Sequence, residues 1–281
     1  QVRGEHRQAV EILQKALSKS SADSTRRAEI LWRLSTSQIR AGESAAARGN
    51  ATECYEWATV QKIENLRYLC ATNLGDTFLQ DSPATAEKWF QTAVEIIENL
   101  SRRVAGREPE KVYFMQDKSA AYHALIKMFA EGNKFEQAFA VSEKLKSRVL
   151  REKLQSRASK VLGDDVSNLT PNLHADALVI SYVLTDDECF AFILKTGAAP
   201  KVVRLPVGTA ELREQIGRYR KSILSFSPTF KAEAKQLYDA LLKAAGGEIS
   251  KAQRLIIVPD GALWELPFQA LINSTSGKYL V

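Results

Sequence analysis

Three histidines, His6, His123 and His174, and three cysteines, Cys54, Cys70 and Cys189, are the residues that could form a thiolate–imidazole pair. A cysteine nucleophile needs that pairing: the imidazole takes the thiol proton, and nearby N–H groups hold the oxyanion that develops on the substrate. His174 and Cys189 are closest to such a couple, because both fall in the same part of the chain. Their positions argue against a dyad. Cys189 opens the second strand of a predicted hairpin, just after Thr185-Asp186-Asp187-Glu188, and an acidic turn raises a thiol pKa rather than lowering it. His174 precedes the first strand, so the two belong at opposite ends of the hairpin. Cys54 and Cys70 fall in a helical region, where small thiols pack as hydrophobes. No paired spacing links the three cysteines, which predicts reduced thiols in a cytoplasmic protein.

Asp260 is the second candidate. The run Arg254-Leu255-Ile256-Ile257-Val258 reads as a strand buried on both faces, since a half-wet strand would alternate. Pro259-Asp260-Gly261 stops it with turn chemistry, and Pro267 suits the first position of a short helix, where its missing N–H costs nothing. Strand, turn and helix in that order open a parallel α/β sheet. Ligands bind such sheets outside the carboxyl ends of the strands, so an Asp260 carboxylate there could receive a basic side chain of a substrate or of a following segment of the domain. A plain turn, with the aspartate bonded to its own backbone, explains the same residues more simply. No phosphate-cradling glycine loop and no metal-ligand spacing occurs, so neither metal nor cofactor is expected.

The elements that must carry these residues fall into two parts. At 281 residues, with 45% hydrophobic and 26% charged side chains, two globular domains are expected. Up to about Lys160 the chain is rich in Ala, Leu, Glu, Lys and Arg and almost free of Pro, as helices require. A polar, turn-forming stretch at 163–172 marks the boundary. The helical part, 1–162, carries triplets of small, bulky and small residues. Ala9, Leu13 and Ala16 fit, as do Ala86, Phe90 and Ala93, while Ala138, Ser142 and Leu145 fit less well. Small residues let helices approach and the bulky one fills the gap, which is tetratricopeptide-like packing. Leu74-Gly75-x-x-Phe78 supplies the matching first-helix pattern, and Tyr122, Leu125 and Phe129 hold equivalent places later. The period is about 50 residues rather than 34, so the repeats would be degenerate. Gly42 to Asn50 fits a loop or a short Ala-rich helix equally well.

Past the boundary, at 173–281, 177–184 and 189–194 read as a β-hairpin and 201–205 as a third strand. Two amphipathic helices follow, with Leu212, Ile216, Tyr219 and Ile223 lining one and Phe230, Ala234, Leu237 and Leu241 the other.

Val258-Pro259-Asp260-Gly261-x-Leu263, followed by Leu266-Pro267-Phe268-x-x-Leu271, resembles the opening of the CHAT domain, a caspase-like module usually preceded by tetratricopeptide (TPR) repeats. The resemblance extends back to Asp176-Ala177-Leu178-Val179-Ile180-Ser181-Tyr182 and forward to Tyr279-Leu280. It implies the fold of the caspase and separase group of cysteine peptidases. The family's catalytic His stands in a His-Gly block and its Cys in a Ser-Ala-Cys block, and neither occurs in these residues. The expected fold is therefore an α-helical TPR-like solenoid followed by the first part of a caspase-like α/β sheet domain.

What the resemblance implies is a fragment of a caspase-like cysteine endopeptidase with repeats for partner recognition, inert alone because it holds no catalytic residue. The alternative is a non-catalytic interaction scaffold. Protein partners and a peptide or protein substrate are expected. The basic run of Lys144, Lys146, Arg148, Arg151, Lys153, Arg157 and Lys160 is interleaved with Leu145, Val149, Leu150 and Leu154. It reads as a solvated amphipathic helix face, and without an aromatic platform nucleic acid is not expected. No apolar run is long enough to span a bilayer, so no membrane partner is expected either. A sheet cut open at β-strand 254–258 would leave 271–281 the most mobile part of its domain, or ordered only by another molecule.

Overall fold

The computed structural model describes residues 2–21, 23–104, 118–154 and 176–280. They fall into two compact units, Gln1–Met128 with Lys144–Gly163, and Phe129–Glu143 with Asp164–Val281. The proposed boundary at 163–172, the domain limits 162 and 173, His174, and Arg157 and Lys160 of the basic run lie outside the described residues.

The first unit is an array of helices: α1 (Val2–Ser18), α2 (Thr25–Ala41), α3 (Ser44–Val60), α4 (Glu64–Phe78), α5 (Pro83–Val104) and most of α6 (Ala120–Glu131). From α1 to α5 each helix packs on the next, and α2 also on α4, as in a stacked solenoid. The ambiguous stretch at Gly42 resolves into both of its readings. Gly42 adopts φ 87° and caps α2, a conformation that glycine reaches without a Cβ clash, and α3 starts two residues later. Ala47, Ala51, Cys54 and Ala58 then line α3 as a fully buried stripe of small side chains. Ala86, Phe90, Ala93 and Tyr122 are likewise fully buried, and Leu125 nearly so. Ala9, Leu13 and Ala16 are only half-buried. Between α4 and α2 the buried Asn73 Nδ2 donates to Ser35 Oγ (2.7 Å) and the Trp32 carbonyl (3.1 Å), so the amide crosses the contact with its donors satisfied.

Cys54 and Cys70 correct the expectation of three reduced thiols. They are joined as a disulfide between α3 and α4, with Cα atoms 6.1 Å apart, inside the range such bridges need. Both stand at equal sequence distance from Lys62, the left-handed turn residue between the two helices (φ 57°), so the helical hairpin brings them face to face.

The second unit holds a sheet of β1 (Ala177–Leu184), β2 (Cys189–Lys195), β3 (Lys201–Arg204) and β4 (Arg254–Val258), in the order β3-β2-β1-β4. β1 and β2 form the predicted hairpin, pairing Leu184 with Cys189, and Thr185 closes its turn onto the Glu188 carbonyl at 2.8 Å. β4 runs parallel to β1, with Ala177 opposite Arg254 and Ser181 opposite Val258. On one face Leu178, Ile180 and Tyr182 pack with Leu212, Ile216 and Tyr219 of α8 (Thr209–Leu224) and Ala234, Leu237 and Leu241 of α9 (Phe230–Leu241). Tyr182 donates its hydroxyl to the Leu241 carbonyl (3.1 Å), satisfying the one polar atom it carries into that core. On the other face the Phe192 ring meets Phe139, 5.7 Å between centroids, from the start of α7 (Phe135–Leu154).

Three features differ from expectation. β4 ends the described sheet, as expected of a sheet cut open there, but it is not buried on both faces: Leu255 and Ile257 turn toward the core, while Ile256 is 46% exposed on the opposite face. A run without alternation cannot distinguish an edge from the centre of a sheet, because side-chain type does not record which neighbours exist. The segment after β4 forms two 3₁₀ turns, Gly261–Glu265 and Phe268–Ala270, with Pro267 just before the second rather than opening an α-helix. The chain from Leu271 to Leu280 is held within its own unit. Ile272 bridges Tyr279, Leu280 donates to the Leu271 carbonyl (2.9 Å), Asn273 donates to Tyr238 (2.9 Å), and Leu271 is fully buried.

Candidate active-site region at the carboxyl ends of β1 and β4

Because β1 and β4 are parallel, their carboxyl ends open on the same side, and the Pro259-Asp260-Gly261 turn leaves β4 beside the last residues of β1. Asp260 is in extended conformation (φ −135°, ψ 150°). Its Oδ1 accepts the Gly261 N–H at 2.9 Å and its Oδ2 accepts the Leu184 N–H at 2.8 Å. The first bond is the local turn bond that the sequence suggested. The second ties the two strand ends together across the sheet, and only the fold could supply it.

Gly261 takes φ 50°, and a side chain there would press on Leu184 at 3.3 Å. Thr209, at the start of α8, donates its hydroxyl to the Thr185 carbonyl at 2.7 Å, pinning the helix end to the hairpin turn. Together Leu184, Thr185, Thr209, Arg213, Asp260 and Gly261 line a cavity of about 300 Å³, at the small end of the range for ligand pockets. Asp260 is half-buried at its wall and Asp186 and Arg213 are exposed, so the pocket sets two carboxylates and a guanidinium around a space one side chain could enter. Sequence reasoning reached Asp260 but not Thr209 or Arg213. Both come from a helix far along the chain, and the only trace of Thr209 in the sequence was its place at a helix start.

Residues 231–281 match the family model of the CHAT domain.

That CHAT match covers α9, β4, the Asp260 turn and the closing segment to Leu280. No curated protein matches the chain. The likeness read in β1 lies before the matched residues, yet β1 is the strand that receives β4 and the Asp260 carboxylate.

The thiol and imidazole candidates do not converge on this region among the described residues. His6 and His123 belong to the helical unit, and Cys54 and Cys70 are bonded to each other. Cys189 is fully buried, with Sγ 3.4 Å from Thr209 Oγ1. Burial pushes its thiol pKa up; the Thr209 bond lowers it in part, and the charges of Asp260 and Glu188 add smaller upward pushes. A nucleophilic cysteine needs the opposite environment. Among the described residues no group of His, Cys, Asp and Glu is placed to hold a metal ion, and no helix is long and apolar enough to cross a membrane.

Proposed function

We propose that this chain is the recognition portion of a caspase-like, CHAT-type cysteine endopeptidase. The Asp260 pocket receives a basic side chain of a peptide substrate, and the helical array, packed as TPR-like repeats, engages a protein partner. The single observation that carries the reading is a CHAT-matching segment that sets Asp260 at the carboxyl ends of two parallel strands, in the wall of a cavity. Parallel α/β sheets bind ligands at that place. The 281 residues are inert toward peptide bonds by themselves, because their one unbridged thiol is buried and held protonated.

The burial of Cys189 also favours a second reading, a scaffold that binds partners without cleaving them. The experiment separating these is a binding and turnover assay with fluorogenic peptides carrying Arg, Lys or a neutral residue. Preferential binding of the basic peptides, reduced by Asp260→Asn but without hydrolysis, supports the pocket. The Asn side chain keeps an acceptor for the Leu184 N–H while removing the charge. Equal binding of basic and neutral peptides favours the scaffold. Turnover that disappears with Cys189→Ala or His174→Ala would overturn the inert reading.

A further inference from the structure

The turn between α1 and α2 opens a cleft of about 600 Å³, large enough for a small molecule, at a place unrelated to Asp260. Lys15 and Lys19 reach it from the end of α1, Arg26 from the first turn of α2, and Ser20, Ser21 and Ser24 from the turn itself. Ala16 and Ile30 give it an apolar wall.

The charges in this cleft are unbalanced. None of Lys15, Lys19 and Arg26 makes an ion pair among the described residues. Of the nearby acids, Asp23 accepts from Trp57 Nε1 (2.5 Å) and Glu53 pairs with Arg27 (2.9 Å), while Glu11 and Glu29, one helical turn from Lys15 and Arg26, form no ion pair with them among the described residues. The first turn of α2 contains no acidic residue and begins Thr25-Arg26-Arg27, which places cations against the positive end of the helix dipole. Lys15, in the last turn of α1, suits that helix's dipole, whereas Arg26 opposes that of α2, so an anion in the cleft would meet all three cations and relieve the repulsion at Arg26. All three side chains are exposed and so free to turn onto an anion.

We infer that the cleft is a binding site for an oligophosphate, such as the phosphate tail of a nucleotide or a free inorganic triphosphate. Charge matching decides the class. A single phosphate carries about −1.5 to −2 at neutral pH, less than the three cations offer, whereas two or three linked phosphoryl groups match them. Ser21 adds a hydroxyl donor, Ser20 and Ser24 already donating theirs to the Leu17 and Ser21 carbonyls, and the volume exceeds what one phosphate would fill.

Calorimetric titration of the whole 281-residue chain with inorganic triphosphate, and separately with adenosine triphosphate, tests the assignment. Saturable binding of both is expected, weakened at least about tenfold by the Lys15→Gln/Lys19→Gln double variant and by Arg26→Gln, since each loses charge-assisted bonds. Lys15→Arg/Lys19→Arg should retain binding, and Lys235→Gln, a substitution in the other unit, should have no effect. Bound ligand should also raise the melting temperature of the wild type and not of the double variant. Equal affinity for the two probes assigns a free oligophosphate, and tighter binding of adenosine triphosphate assigns a nucleotide. Absence of saturable binding by either probe would overturn the site, as would binding that the double variant leaves unchanged.

Discussion

The Phe90 ring fills the space where a side chain at Gly75 would stand: three of its carbons lie within 2.7 Å of a Cβ built there. Gly75 of α4 is thus a glycine because of a residue on α5, and the pair fixes how closely the two helices approach. Gly75→Ala must push the ring out of a fully buried site and should cost about 1–3 kcal/mol. Gly49, also helical, has nothing within 4 Å of such a Cβ. Gly49→Ala should therefore stabilise by up to about 1 kcal/mol through helix propensity. Urea unfolding of both variants checks the contrast, and equal losses would count against the α4–α5 contact.

Asp76 predicts a pH dependence of opposite sign to the usual carboxylate. Burial lifts its pKa from 3.8 to about 7, only partly offset by Arg40. The folded state then holds a proton that the unfolded chain releases near pH 4, so this residue's contribution to stability falls as pH rises from about 4 to 7. Asp76→Asn removes the titration. Its gain over the wild type should be largest at pH 8 and shrink toward pH 4, as read from urea midpoints across that range. A gain independent of pH would mean that Asp76 is solvated.

The Cys54–Cys70 bridge closes a loop with a sequence separation of 16 between two helices. A loop of about that size contributes roughly 3 kcal/mol by restricting the unfolded chain. Denatured protein should show one reactive thiol before reduction, Cys189, and three after it. Reduction, or Cys54→Ala/Cys70→Ala, should lower the melting temperature of the helical unit. Three reactive thiols in unreduced protein would remove the bridge.

Phe226 follows α8 at φ 52° with 94% of its surface exposed. Its neighbours close the helix end, Phe226 donating to the Ile223 carbonyl (3.1 Å) and Ser227 to that of Ser222 (2.9 Å), a geometry that favours glycine. Phe226→Gly should relieve the left-handed strain and raise stability by about 1 kcal/mol without disturbing the core. A loss measured by thermal unfolding would show that the ring is covered in solution.

Composition and periodicity alone determined the helical character before residue 160, the hairpin at 177–194, the two amphipathic helices and the buried triplet Ala86, Phe90 and Ala93. Each of these is a local signal: period, propensity and turn chemistry act within a few residues, so they can be read in order along the chain. The Val258–Leu271 pattern likewise carried the CHAT likeness that the family match bears out for 231–281. Tertiary structure decided everything that depends on which segments meet. It left Ile256 of β4 exposed, paired Cys54 with Cys70 through the α3–α4 hairpin, and gave Asp260 its second partner in Leu184. It also drew Thr209 and Arg213 to the pocket, and Lys15, Lys19 and Arg26 to one cleft. The physical reason is common to all of these. A side chain's type sets what it can bond to, but burial, charge balance and bonding partners are properties of neighbours distant in sequence, and no local pattern encodes them.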